Sequence, residues 1–597
     1  MSILEKSTVK ILPYSTFEEL GVSIRNMTNT IFCTKIFDNL VIGPYIKNEF
    51  IGCPRCVITT LNQYHEENLL TVVTNNDNSL FEKPNEQDLT VINAIISDEL
   101  NLNYFENYLQ VFNLTNGKSH NYKVIENEYC PSCSNLIQDT KYIDVDPVMN
   151  RKTRKLKRNE YRTNEIENLS SLFDKWNDYE SGIFIHKYDD FRSSYVNAVG
   201  VEVKADSQFT VTGYGRSLTE SESYNIALLE AVERYCGLSN RKTMTNLFGS
   251  YNQLKDDYNL VDPEKFVLGV GDSKYLDYTP DLEFYWVKGY SMINKREVFV
   301  PEQLAYYCDP EKISLNRFNY SNRFVYDSSN GLALGSNRSE AILHGILEVV
   351  ERDAFLNLWY SNGVPSKIDI SNVKTKLDLI FQELEERKIY IHFFKANRDL
   401  PIPCVVALIE NRNPSAKMKY YLAASSNFDS TKAIENSAFE VITSLPIFEE
   451  LLSKNEEVKN RYEKIKNKPE FVEFQDDHIL FNSNENSDGI YQKWILDSQL
   501  QTPQKLFGDN EFINETIEED LSLLVDKLAG TFEEIVVINE TPGKIEKEGF
   551  FAYKSILPGT QPMYFGVQNR RISNKRISAY TGGEVQCIKN EAPHPFP

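Results

Sequence analysis

Two Cys-x-x-Cys pairs, Cys53/Cys56 in IGCPRC and Cys130/Cys133 in YCPSC, constrain the N-terminal part of the chain more than any other feature. Each knuckle aims two sulfurs at one point, and two knuckles complete a tetrahedral thiolate set for zinc about 2.3 Å from each sulfur. The two distant segments must therefore meet. With four protein sulfurs as ligands no coordination position stays open, so the expected Zn²⁺ is structural. A redox pair would stand alone at a helix N-terminus with a lowered pKa. The other five cysteines, Cys33, Cys236, Cys308, Cys404 and Cys587, are scattered, and buried packing is their expected role.

Nine cysteines in 597 residues are too few for a disulfide framework and suit a reducing compartment. The balance of 64 basic against 86 acidic residues, a net charge of −22, argues against a general nucleic-acid binder. No window supplies the roughly 18 apolar residues of a membrane span, and the start lacks a signal-peptide core. A cytoplasmic location with no membrane partner is expected. Basic residues crowd 147–165, PVMNRKTRKLKRNEYRTNE, almost without large apolar side chains, which reads as a linker or solvated helix. The expected organisation is a domain over 1–150, a basic linker over 151–180 and a larger domain over 181–597. Strand-like runs such as VNAVGVEVKA alternate there with helical patterns such as ESYNIALLEAVERYCG, so the fold class is α/β, mixed α+β. The polar stretch Ser453 to Asp488 reads as an exposed helix plus loop without a catalytic role.

Glu230 and Glu233 stand three apart on a helix whose other positions are apolar, and Glu348, Glu351 and Arg352 repeat the arrangement in GILEVVERDAF. Acids embedded in apolar helices need a partner charge or a cation, and four of them facing one another call for divalent metal, such as Mg²⁺ on a nucleotide phosphate. The bland alternative is an i,i+4 salt bridge from Glu230 to Arg234 and from Glu348 to Arg352. A third Glu-x-x-Glu-Arg at Glu383, Glu386 and Arg387 sits among charges and reads as a surface helix. Context separates them: Thr212-Gly-Tyr-Gly-Arg-Ser217 and Asp327-Ser-Ser-Asn-Gly-Leu-Ala-Leu-Gly-Ser336 precede the two apolar helices as polar, small-residue loops. Such loops offer backbone N–H groups toward a helix N-terminus, a natural anion site. Thr219 with Glu222 and Asn337 with Glu340 mark the helix starts.

SSNGLALGSNRSEAILHGILEVVERDAF together with SESYNIALLEAVERYCG resembles the ATP-binding signature of the YcaO superfamily. ILPGTQPMYFGVQNRR and the end APHPFP resemble its azoline-forming members, and NLVIGPYIKNEFIGCPRC resembles the zinc-bearing E1-like remnant that accompanies them. The resemblance implies a YcaO-type ATP-binding fold behind a smaller zinc-tetrathiolate α/β domain that adenylates nothing. It implies that Glu230, Glu233, Glu348 and Glu351 hold Mg²⁺ on ATP, with His344, Asn330, Arg352 and Glu440 nearby. In the implied reaction a precursor cysteine (or Ser/Thr) attacks the preceding amide, the amide oxygen is phosphorylated, and loss of phosphate leaves the azoline. The C-terminal carboxylate of Pro597 is the implied base. Three positions depart from the family's pattern: Tyr214 in place of lysine, Ile226 in place of serine, and Asn436 in place of arginine.

The chain before Cys53 is too short for a full leader-binding module. The resemblance therefore implies a separate leader-binding (ocin-ThiF-like) partner protein, a precursor peptide, a downstream FMN dehydrogenase and a possible homodimer. The rival readings are amide activation for a thioamide or macroamidine, and a non-catalytic docking scaffold.

Overall fold

The computed structural model describes residues 9–596 apart from 17–18, 20–23, 25, 49, 65–80, 98, 128–129, 131, 134–136, 139–151, 166–168, 205–209, 239–242, 245–246, 267–274, 308–321 and 327. The β-branched and apolar runs Thr30–Ile36 and Asn39–Ile46 pair antiparallel at the centre of an N-terminal sheet. Its order is Lys10–Pro13, Thr30–Ile36, Asn39–Ile46, Tyr108–Asn113, Ser119–Lys123, with Phe81–Glu82 also on Thr30–Ile36. Alternation sends Ile31, Cys33, Leu40 and Ile42 to one face, against Ile92 of the helix Glu86–Ile96. Phe32, Val41 and Leu109 go to the other, where they pack with the four cysteines.

Those cysteines meet as their spacing requires. Cys53 and Cys56 open the helix Pro54–Tyr64, with the Sγ atoms of Cys53 and Cys56 3.8 Å apart, Cys53 and Cys130 3.5 Å, and Cys56 and Cys133 3.2 Å. A tetrahedron with bonds of about 2.3 Å has edges of about 3.8 Å, so the cluster is close to the size zinc needs. All four are buried and free of disulfides, and burial drives the Cys53 and Cys56 thiols well above their usual range. A cation that accepts thiolates relieves that cost. Of the remaining cysteines Cys33, Cys236 and Cys404 are buried as expected, Cys587 is exposed instead, and Cys308 lies outside the described residues.

The rest of the chain turns on three strand-to-helix units. Strand Thr210–Ser217 leads into helix Glu220–Gly237, strand Leu332–Gly335 into helix Arg338–Tyr360, and strand Tyr420–Ser426 into helix Ser430–Lys454. The first strand ends a three-stranded sheet with Asn197–Lys204 and Phe184–Asp189. The second ends a six-stranded sheet through Phe551–Ile556, Val536–Asn539, Phe284–Ser291 and Leu247–Gly249, Arg296–Pro301 branching from Phe284–Ser291. The third ends a five-stranded sheet through Cys404–Asn411, Ile389–Lys395, Ser366–Ile368 and Leu500–Gln501. Helix Arg338–Tyr360 is apolar nearly all round because it is the central element: its first half packs with Leu521, Leu524 and Tyr553, its second with Trp494, Ile577 and Phe596.

Two polar stretches depart from their expected exposure. Over its described residues the basic stretch is not helical and is solvated only in part: most of its charged residues are exposed, but Lys155 and Asp520 form a buried ion pair, the Tyr161 hydroxyl donates to the Phe512 carbonyl at 2.8 Å, and Arg162 pairs with Glu340 at 2.7 Å. Farther on, Leu172, Phe173 and Trp176 of helix Ser170–Trp176 enter the core, so the described parts of 152–176 strap the larger body instead of linking freely to it. Lys155 and Arg162 are held because each finds a buried carboxylate, whereas Lys157 and Arg158 pair with Glu160 and Glu515 at the exposed surface. The expected boundary near 150 falls on residues outside the description. In the second stretch helix Glu456–Ile465 is exposed as expected, whereas helix Gln475–Asn482 is buried along His478, Ile479 and Leu480. No helix among the described residues is long and apolar enough to cross a membrane.

Metal analysis of freshly purified protein should give about one zinc per chain, and Cys130→Ser should lose it and melt the N-terminal sheet first. Less than half an equivalent of zinc, or iron in its place, would count against a tetrathiolate zinc site.

Candidate active site

The acids on the first two of these helices, and Glu440 on the third, form one electrostatic set. Strand Thr210–Ser217 lies so close to helix Glu220–Gly237 that a Cβ on Gly213 would come 2.2 Å from the Ala231 nitrogen, and one on Gly215 1.8 Å from the Ser223 carbonyl oxygen. Only glycine permits that approach. TGYGRS is therefore strand and not the expected loop, and LALG in the second segment is strand as well. Their N–H groups face the middle of the helices, not the N-termini.

Each of the four acids takes one backbone N–H from such a segment. Tyr214 N–H donates to Glu230 at 3.1 Å, Leu334 N–H to Glu233 at 2.9 Å, Gly331 N–H to Glu348 at 3.0 Å and Ser426 N–H to Glu351 at 2.7 Å. The helix starts are capped as expected, by Thr219 on Glu222 N–H and Asn337 on Glu340 N–H. The flanking i,i+4 pairs also exist: Arg234 on Glu230 at 2.9 Å and Arg352 on Glu348 at 3.4 Å. Salt bridge and acid cluster thus coexist.

Glu233 and Glu351 keep some accessible surface although set deep in the protein, as groups lining a cleft do. Loss of hydration pushes Glu233 up to about 8, opposed by Arg234 and reinforced by Glu348 and Glu230. The same cause pushes Glu351 up to about 8, opposed by Arg352 and reinforced by Glu348 and Glu440. By contrast Glu383 and Arg387 form an exposed 2.7 Å pair on helix Asp378–Glu386.

The other expected site residues divide. Asn330 adjoins Gly331, and its buried Oδ1 has no hydrogen-bond partner. Arg352 lies over the Phe596 ring at 4.2 Å as well as beside Glu348. Glu440 reaches the set through Arg216, whose Nη1 lies 3.5 Å from it. His344 instead bonds the Tyr161 carbonyl through Nε2 at 2.9 Å, so it holds the strap across the helix. Pro597 lies outside the described residues. At the departures from the pattern, the Tyr214 hydroxyl donates to Asp190 at 2.7 Å, Ile226 is half-buried and Asn436 is exposed.

Among the described residues only the four cysteines bring three or more metal-binding atoms within 4.8 Å of one another. The carboxylates are spread wider, which suits an elongated polyanion carrying Mg²⁺ better than one small cage. The orphaned polar atoms fit such a ligand too: Asn330 Oδ1, Arg216 Nε and Ser426 Oγ are all buried without a partner. Sequence reasoning passed over Arg216 and Ser426. Arg216 was visible, two positions past Tyr214 and so on the same face of its strand, while Ser426 carries no signal because its bond to Glu351 uses the backbone N–H.

A protein-family model described as YcaO cyclodehydratase, ATP- and Mg²⁺-binding, matches residues 214–561. A heterocyclase solved in complex with substrate and cofactor shares the fold with a TM-score of 0.69, over 99% of this chain and 82% of its own, at 16% identity. The heterocyclase TruD gives 0.62 over 95% and 75%, at 18% identity. An uncharacterized protein of Methanothermobacter thermautotrophicus is 32% identical over 176 residues, 29% of this chain and 40% of that protein, so the match spans less than half of that relative. The family match runs over more than half of the 597 residues and encloses all four backbone-anchored acids, and the chain accordingly belongs to the YcaO cyclodehydratase family.

Proposed function

We propose that the protein is an ATP-dependent peptide cyclodehydratase that converts cysteine, and in some precursors serine or threonine, into azoline rings. The observation that carries this reading is the set of four acids, each fixed by a backbone N–H, with two of them raised to about 8 by burial and mutual repulsion. A site that holds carboxylates in so unfavourable a state is built for cations. Bound ATP and Mg²⁺ would supply the phosphoryl group that turns the amide oxygen into a leaving group. Glu230, Glu233, Glu348 and Glu351 would hold the metal, and Asn330, Arg216 and Arg352 line the same surface. The tail delivers Phe596 against Phe355, with rings 5.1 Å apart, and against Arg352, one residue from Glu351. That placement supports the Pro597 carboxylate as the group that accepts the nucleophile's proton. The partners in this reading are a precursor peptide, a separate leader-binding protein, a downstream FMN dehydrogenase and a second copy of the chain in a homodimer.

Incubating protein, leader-binding partner, precursor and ATP should lower the precursor mass by one water per ring. Glu230→Gln or Glu351→Gln should cut ring formation at least a hundredfold, and Glu383→Gln should leave it within about twofold. Equal losses at all three positions would mean that the helix pattern alone was being read.

The raised carboxyls also set a stability signature. Between about 4.5, where an unfolded glutamate ionises, and about 8, the folded protein retains a proton on Glu351 that the unfolded chain gives up, so stability falls as pH rises through that window. Metal-free Glu351→Gln should therefore melt a few degrees above wild type at pH 8, the gap closing toward pH 4.5. A gap independent of pH would contradict the assignment. One alanine added after Pro597 should cut cyclodehydration at least tenfold with zinc content unchanged. Full activity in that variant would remove the terminal carboxylate from the reaction.

A further inference from the structure

The helix Gln475–Asn482 does something its polar sequence context does not suggest. His478 is fully buried and faces the proline-rich tail, whose His594 is fully buried too, with the two rings 4.3 Å apart. Gly566 N–H donates to His478 Nε2 at 2.9 Å, so that nitrogen carries no proton, and Nδ1–H donates to the His594 carbonyl at 2.8 Å. One turn on, Asn482 Nδ2–H donates to the Pro593 carbonyl at 3.0 Å. The His594 ring returns a bond, Nε2–H to the Tyr564 carbonyl at 2.8 Å. Trp359 Nε1–H donates to the Ala592 carbonyl at 3.1 Å.

A proline-rich segment has few N–H groups, so it is held almost entirely through its carbonyls, and a buried carbonyl without a donor is costly. His478 and Asn482 supply donors to two successive carbonyls, those of His594 and Pro593. Two residues beyond the His478 contact, Phe596 meets Arg352. We infer that His478 is a positioning residue for ring formation: its Nδ1–H fixes the register of the tail, and thereby the distance from Phe596 and the terminal residue to the acids. This inference rests on the reading of the tail as part of the reaction. The contacts of the His478 ring are with the tail, Gly566 and the neighbouring Tyr564 and Phe565 rings and not with the four acids, so its effect on the reaction runs through the tail.

The two nitrogens of His478 can be separated by substitution. His478→Asn keeps a donor near the Nδ1 position, and His478→Gln keeps an acceptor near Nε2. Two quantities are measured on the full chain with its leader-binding partner: hydrogen exchange of the tail peptide covering residues 588–597, and kcat and KM for ATP in cyclodehydration. His478→Gln should speed exchange in the tail and lower kcat about tenfold, as expected for one lost buried bond, with KM for ATP within twofold. His478→Asn should retain tail protection and most of kcat. Asn482→Leu should weaken the tail independently, which keeps the test open if one His478 variant fails to fold.

Unchanged exchange in His478→Gln would overturn the fixing of the tail by His478. Faster exchange with unchanged kcat would overturn its positioning role. If residues 593–597 can be deleted without loss of activity, the reading of the tail fails instead, and exchange still reports whether His478 held it. Equal loss in the Asn and Gln variants, with lowered melting temperature and raised KM for ATP, would mean a merely structural histidine.

Discussion

The structure depends on bringing carboxylates of like charge together at one place, where the arginine pairs on Glu230 and Glu348 offset only part of the repulsion. Glu233 and Glu351 feel one another's neighbours, Glu348 in both cases, and loss of hydration compounds the repulsion. Backbone N–H donors are the fold's answer, since a main-chain dipole cannot rotate away. That solution fixes much else. For Tyr214 N–H to reach Glu230, its strand must lie against the helix, and a Cβ at Gly213 or Gly215 would forbid it. The three strand-to-helix units repeat the same device at different places around one surface. Burial and neighbouring acids push the Glu233 and Glu351 carboxyls up to about 8, and a cation of the kind proposed above would offset that cost.

The acid pairs were legible because spacing of three on an apolar helix leaves them no solvent face. Their third copy, at Glu383 and Arg387, shows what the letters alone are worth: it is an exposed salt bridge. Glycines ahead of the helix distinguished the two cases, although their purpose is close packing rather than a loop. Which N–H meets which acid was not legible. Leu334 lies 101 positions from Glu233, and Ser426 lies 75 from Glu351, so only the tertiary fold pairs them. The cysteine cluster was readable for the opposite reason, since its donor atoms are side chains whose spacing encodes their direction.

Composition misled where polar residues serve as binding groups. In the basic stretch, Lys155 and Arg162 are charges with assigned partners, Asp520 and Glu340, and Tyr161 is the one aromatic anchor among them. Averaged over a window, such a segment is indistinguishable from a solvated connector. Helix Gln475–Asn482 repeats the lesson: Asp477 is engaged by Arg461, His478 by the tail and Asn482 by Pro593, so polar side chains sit inside because each is satisfied.

Helix Arg338–Tyr360 joins these arrangements. Glu348 and Glu351 present their carboxylates to the N–H groups of Gly331 and Ser426, whereas Asp353, two residues on, turns to the C-terminal region. There it receives the Gln561 N–H at 2.8 Å and the Arg576 guanidinium, and Asn357 receives the Gln561 side chain at 3.1 Å. Tyr360 continues the row, its carbonyl accepting from Lys589 N–H at 2.8 Å and its hydroxyl meeting that of Tyr564 at 2.7 Å. Because these positions belong to one rigid helix, the acids and the anchors of the tail cannot move independently. Any shift of the helix that moved Glu348 and Glu351 relative to Glu230 and Glu233 would also displace the seat from which the tail approaches them. The acids and the seat of the tail are therefore linked by construction, through a helix buried on every side and held at its start by the strap at Arg162 and His344, and in the proposed reading that linkage couples cation binding to the placing of the tail.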